Sequence, residues 1–174
     1  MGEVDQEKRP VRALVIGTCH EYQRHQDRIE ERKKVRADLE RLACQLIADR
    51  SISLIAEEAG DNTEVWEQLK LDEEATPPEL QIFFAGTEAV GGPQDTIAKR
   101  IADELSERLR HFDIRPPHAE EITTEQRDEA MARSTMEVLG PANSVLVICG
   151  ESHRLGVCRH LENYGLRVES FCFP

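Results

Sequence analysis

Residues 144–153 read SVLVICGESH, and this stretch decides the fold. Ser144 to Cys149 is a short apolar run rich in β-branched residues, followed by a glycine and then by polar, titratable side chains. An unbroken apolar run of this length, with no polar alternation, is the pattern of a strand covered on both faces, as in a parallel sheet. Gly150-Glu151-Ser152-His153 then turns into a short helix to about Tyr164, capped by Gly165. Leu166 to Phe173 alternates and reads as a closing strand.

The same grammar recurs upstream. Val11 to Gly17 (VRALVIG) is a second apolar run ended by glycine, and it runs into the polar loop TCHEYQRHQ. Ile52 to Ala56 (ISLIA) is a third, ending in Glu57 and Glu58. Between the first two lies a long helix from about Asp27 to Arg50, with Val35, Leu39, Leu42, Leu46 and Ile47 at spacings of one, three and four. Thr96 to Phe112 reads as a second amphipathic helix carrying Ile97, Ile101, Leu105 and Leu109, and Asp113 to Pro117 as a short strand or extended link. A further helix starts at a Thr123 or Thr124 cap, with Glu125 in its first turn, and stops at Gly140-Pro141 after Leu139. Residues 59 to 80 are polar, with Trp66 and a Pro77-Pro78 breaker. Leu80 to Phe84 is ambiguous between helix and strand, and 86 to 95 is a loop by its glycines and proline. Buried strands alternating with helices predict an α/β fold: a mostly parallel sheet flanked by helices, as one domain over 11–174 behind a disordered lead-in at 1–10.

Composition narrows the class. A chain of 174 residues is long enough to bury its own core. Its net charge of −12, from 34 acidic and 22 basic residues, repels a nucleic-acid backbone and disfavours duplex binding. The five cysteines are odd in number and contain no C-x-x-C pair, which argues against a disulfide framework or a zinc ribbon. No apolar run approaches membrane-spanning length, and MGEVDQEKRP has no apolar signal region, so the expected location is the cytoplasm. The sequence leaves the oligomeric state open.

Chemistry is concentrated at the ends of the apolar runs. Two of them end in Gly-x-x-His: Gly17-Thr18-Cys19-His20 and Gly150-Glu151-Ser152-His153. In an open parallel sheet, ligands bind beyond the carboxyl ends of the strands. His20, Glu57, Glu58 and His153 are therefore expected to converge on one crevice, with each glycine permitting a sharp turn that swings the histidine back over the sheet. Two imidazoles with one or two carboxylates suit a divalent metal (Mn, Co or Zn). They equally suit a metal-free site in which a carboxylate orients a histidine base. Glu57 and Glu58 are neighbours in a strand and must point to opposite faces, so one enters the site and the other pairs with a helix lysine or arginine. Glu151 and Arg154, beside His153, are expected to line the pocket and contact substrate. Cys19 and Cys149 read as strand-end packing rather than nucleophiles, and His25, His111, His118 and His160 as surface residues.

The pattern strand–GTCH, strand–Glu, then EQRDEAMARSTMEVL followed by NSVLVICGESHRLGVCRHLENYGLRVES resembles the TraB and Tiki-like superfamily, which includes erythromycin-esterase-like and ChaN-like proteins. Arg127-Asp128 and Met131 match its helix motif, and Val145 to Gly165 matches its last strand–helix unit. The C-terminal likeness covers roughly fifty residues, and the middle, 59 to 120, lies outside it. The resemblance implies an α/β core and a site built from His20, Glu57 or Glu58, Arg127 and His153. It implies a hydrolase acting on a small-molecule or peptide substrate, through a metal as in Tiki-like proteases or a histidine base as in the esterase-like members. It gives Arg127 the part of holding a carboxylate or phosphate of the ligand. Two other readings stand beside it: a non-catalytic sensor or binding module for a small anion, using Arg127 and Arg154, and a component of a larger assembly.

Overall fold

The computed structural model describes residues 12–23, 30–58, 96–105, 107–140 and 144–173, without the side chains of 20, 21 and 30–32. The expectations for 1–10, for 59–95 and for His25 lie outside these residues. Among these residues five strands form one parallel sheet: β1 (Ala13–Thr18), β2 (Leu54–Glu57), β3 (Arg110–Asp113), β4 (Val145–Gly150) and β5 (Val168–Cys172), in the spatial order β3-β2-β4-β1-β5. The helices are α1 (His20–Gln23), α2 (Glu30–Arg50), α3 (Ile97–Glu104), α4 (Thr124–Leu139) and α5 (Glu151–Asn163). The chain is thus an α/β domain with a parallel sheet between helices. No helix among the described residues is long and apolar enough to cross a membrane.

Both faces of the central strands are covered, which is why β1 and β4 are unbroken apolar runs. Leu14, Ile16, Ile55, Leu146 and Ile148 pack against Leu39, Ala43 and Ile47 of α2 and Ile97 and Ile101 of α3. Ala13, Val15, Leu54, Val145, Val147 and Cys149 pack against Met131 and Ala132 of α4 and Val157 and Leu161 of α5. Each large side chain buried this way is worth about 1.5–3 kcal/mol. The helix boundaries follow local chemistry. Thr123 and Gln126 close a reciprocal capping box on α4, and Gly140 (φ 65°) ends it. Ser51 (φ 51°) ends α2 in the left-handed region, and Gly165 (φ 85°) follows α5.

One element departs from expectation. The helix foreseen over 96–112 stops at Glu104, and residues 110–113 form β3. The sequence RHFD holds one apolar residue, because among the described residues β3 is an edge strand that pairs only with β2. Its signal was therefore masked by Leu105 and Leu109, which continue the helical spacing although Leu105 is 42% exposed.

The topology fixes where a crevice opens. Parallel crossovers of one hand put oppositely directed connections on opposite faces. From β2 the chain moves outward to β3 through α3, on the α2 face. From β4 it moves the other way to β5 through α5, on the α4 face. β2 and β4 are neighbours, so their exits diverge and the topological switch point lies between them.

The glycines of the two Gly-x-x-His units do not work as expected. Neither takes a positive φ, and Gly150 has φ −58° and ψ 141°, open to any residue. Gly17 is required by packing: a Cβ there would lie 2.1 Å from Glu151 Oε2 and 2.8 Å from Arg154 Cβ and Cδ. Gly17→Ala should therefore cost about 1–3 kcal/mol by overpacking. Thermal denaturation followed by circular dichroism should show a Tm lower by several degrees, since about 2–4 °C accompanies each kcal/mol at this size.

Candidate active site at the strand ends

Three neighbouring strands, β2, β4 and β1, carry the residues singled out in the sequence, with Glu57 level with Ile148 and Gly150 level with Thr18. Strand alternation sends Glu57 and Glu58 to opposite faces of the sheet. Glu58 follows β2 on the α4/α5 face, with its N–H donated to the Ile148 carbonyl at 2.9 Å. Its Oε2 accepts the Gly150 N–H at 3.0 Å, so the carboxylate sits at the N-terminus of α5, where the helix dipole favours an anion.

His153 lies in the first turn of α5 and is 5% exposed. Its Nδ1 meets Asp128 Oδ1 at 2.6 Å, and its Nε2 lies 3.7 Å from Glu58 Oε1. A carboxylate acceptor at Nδ1 places the proton there and presents Nε2 toward Glu58. Burial raises the Asp128 carboxyl above its ordinary range, and the His153 bond pulls it partly back. Asp128 belongs to the buried stripe of α4 with Met131, Ala132, Thr135 and Leu139. It can enter the interhelical space because α5 offers Gly156 opposite: a Cβ there would fall 1.7 Å from Asp128 Oδ2. The sequence signal for Asp128 is an aspartate in phase with the apolar stripe of α4, and the structure adds the partner: a glycine one turn beyond a histidine on α5.

Glu57 faces the other way and does not join His153. It is 0% exposed, and its Oε2 accepts the Thr96 hydroxyl at 2.6 Å and lies 3.0 Å from His111 Nε2. Its Oε1 is buried without a hydrogen-bond partner among the described residues. Burial pushes this carboxyl up, against the lowering effect of the His111 and Thr96 bonds. The expected helix lysine or arginine is replaced by a strand histidine, and His111 is half-buried rather than a surface residue. His160 is likewise half-buried, 3.1 Å from Glu125, whereas His118 is exposed.

His20 opens α1 just beyond β1, and its side chain lies outside the described residues. Arg127 donates Nη2 to the Ala119 carbonyl and keeps a buried Nε without a hydrogen-bond partner among the described residues. Glu151 and Arg154 hold each other, with Arg154 Nε 3.0 and 2.9 Å from the two carboxylate oxygens and its Nη1 3.1 Å from Ser170 Oγ. The Arg154 bond lowers the Glu151 carboxyl. This pair lies over Gly17 and ties α5 to β1 and β5. Cys149 is buried, which raises its thiol well above the usual range and suits packing rather than nucleophilic attack, while Cys19 is exposed rather than packed.

A divalent cation finds a partial donor set. Two donors each about 2.0–2.2 Å from one ion sit about 3.4 Å apart at the tetrahedral angle, close to the 3.7 Å between His153 Nε2 and Glu58 Oε1. A carboxylate behind the imidazole is the usual outer support of a metal-bound histidine. Among the described residues, no group of three or more His, Cys, Asp or Glu side chains is arranged to hold a metal. No family model, no curated protein and no solved structure matches the chain.

Two outcomes follow. Gly156→Ala should destabilise by about 1–3 kcal/mol through the clash with Asp128. Adding Asp128→Ala should recover part of that loss, a non-additivity read by denaturant unfolding of the single and double variants. For Glu57 the sign follows from its raised carboxyl. Its contribution to stability is present below the ordinary glutamate range and is lost as pH rises through the raised value. Gln does not titrate, so the Tm of Glu57→Gln relative to wild type should climb from about pH 4 to about pH 8.

Proposed function

We propose that this chain is a hydrolase that activates water at His153, and the observation that carries the reading is the line Asp128–His153–Glu58 at the switch point between β2 and β4. Asp128 holds the Nδ1 proton and orients the ring. His153 Nε2 takes a proton from water as the oxygen attacks an acyl carbon, and returns it to the leaving group as the tetrahedral intermediate collapses. Glu58, anchored by the Gly150 N–H, lies beside Nε2 and stabilises the imidazolium formed in between.

A metal-dependent form is the alternative, in which the His153 Nε2 lone pair ligates a divalent cation instead of taking the proton. His153 Nε2 and Glu58 Oε1 would hold the ion, with His20 as the third ligand that the TraB and Tiki-like resemblance implies. A bound ion of this kind lowers the pKa of water toward neutrality. The backbone supports the placement of His20, two residues beyond Thr18, which pairs with Gly150. Arg127, next to Asp128, is the residue proposed to hold a substrate carboxylate or phosphate. The substrate class is a small-molecule ester or a peptide, and the proposed setting is the cytoplasm.

The test begins with a screen of esters, peptides and phosphorylated compounds, each with and without added Mn²⁺, Co²⁺ or Zn²⁺. His153→Ala should lower kcat/KM by about a hundredfold or more, as loss of a general base does. Asp128→Asn should reduce it about 10- to 100-fold and shift the acidic limb of its pH profile. Cys19→Ser should retain most activity. Full activity in His153→Ala overturns the reading.

A further inference from the structure

The polar cluster on the α2/α3 face is not used by the proposed reaction, and it links Thr96, Glu57 and His111. Thr96 Oγ1 accepts the Lys99 N–H at 3.2 Å as the cap of α3, so its own proton goes to Glu57 Oε2 at 2.6 Å. With Glu57 ionised, Oε2 is an acceptor for both neighbours, and the contact with His111 Nε2 at 3.0 Å puts a proton on Nε2. In the neutral ring of that state Nδ1 carries the lone pair, and it has no partner among the described residues. The ring is 18% exposed, while Glu57 behind it is fully buried, so the exposed part of the imidazole is the part away from Glu57.

Asp113 stands two residues along β3, which puts it on the same face as His111. The register agrees, with His111 level with Ile55 and Asp113 level with Glu57. Arg110 and Phe112 take the opposite face, where the guanidinium stacks on the ring at 5.6 Å and Phe112 packs on the α4/α5 core. Asp113 Oδ1 accepts the Arg115 N–H at 2.9 Å, and the residue is exposed.

We propose that His111 and Asp113 form a second site, on the opposite face of the sheet from His153, that takes a divalent transition-metal ion with Glu57 as its outer carboxylate. An imidazole whose far nitrogen is tied to a buried carboxylate is the arrangement that orients a histidine ligand and raises its basicity. One imidazole and one carboxylate select a borderline ion such as Zn²⁺ over Mg²⁺ or Ca²⁺. With two protein ligands, water completes the coordination and the ion exchanges readily.

The experiment uses the full chain carrying His153→Ala, which removes the first site and makes the result independent of the proposed hydrolase. Zn²⁺ is titrated while the imidazole nitrogens are followed by NMR, and calorimetry gives the affinity. The His111 Nδ1 resonance should move by tens of ppm on saturation, with the proton retained on Nε2. His111→Gln should abolish this binding, Glu57→Gln should weaken it about 10- to 100-fold, and Asp113→Asn about tenfold. Asp113 is exposed, so its variant keeps the test decisive where His111→Gln folds poorly. His111 resonances unmoved by saturating Zn²⁺, or wild-type affinity in both His111→Gln and Asp113→Asn, would overturn the proposal.

Discussion

The hydrogen bond from the Gly150 amide to the Glu58 carboxylate joins the end of β2 to the point where β4 becomes α5. Diverging connections leave a gap between these two strands, and a gap between strand ends exposes backbone donors that need partners. Glu58 closes it with a charge-assisted bond at the positive end of a helix. The position of α5 relative to β2 depends on that contact, and His153, in the first turn of α5, is set opposite Glu58 as a consequence. Asp128 then fixes the ring from the other side, which is sterically open only because residue 156 has no side chain.

The last two residues of the strand region thus serve opposite faces. Each carboxylate is almost completely buried, and each meets a histidine from a different element: Glu58 meets His153 of α5, and Glu57 meets His111 of β3. A buried carboxylate without such company would be several kcal/mol too costly to keep charged. The two clusters do not share a partner in the hydrogen bonds described, because the sheet itself separates them. This is a physical reason for treating the two faces as chemically independent, although only one residue step divides their carboxylates.

Much of the architecture was legible in the residues. VRALVIG, ISLIA and SVLVIC are mostly apolar, broken only by Arg12, Ser53 and the leading Ser144, a pattern that suits strands covered on both faces, and they form the three central strands β1, β2 and β4. Gly140 and Gly165 lie in the left-handed region at helix ends, and Thr123 caps α4, as short-range chemistry predicts. The opposite facing of Glu57 and Glu58 also follows from strand periodicity alone.

Tertiary structure decided the rest. β3 is an edge strand of mostly polar residues, so periodicity could not separate it from the helix before it. Gly17 and Gly156 are glycines because of side chains from other elements, Glu151 and Arg154 in one case and Asp128 in the other, and no local pattern encodes such an approach. Which histidine each glutamate meets was equally invisible, since Glu57 and His111 are 54 residues apart and Glu58 and His153 farther still. Local propensity and periodicity depend on neighbours within a few residues, and so they determine strands, caps and faces. Pairing between distant side chains depends on strand order and helix packing, which exist only once the whole core has assembled.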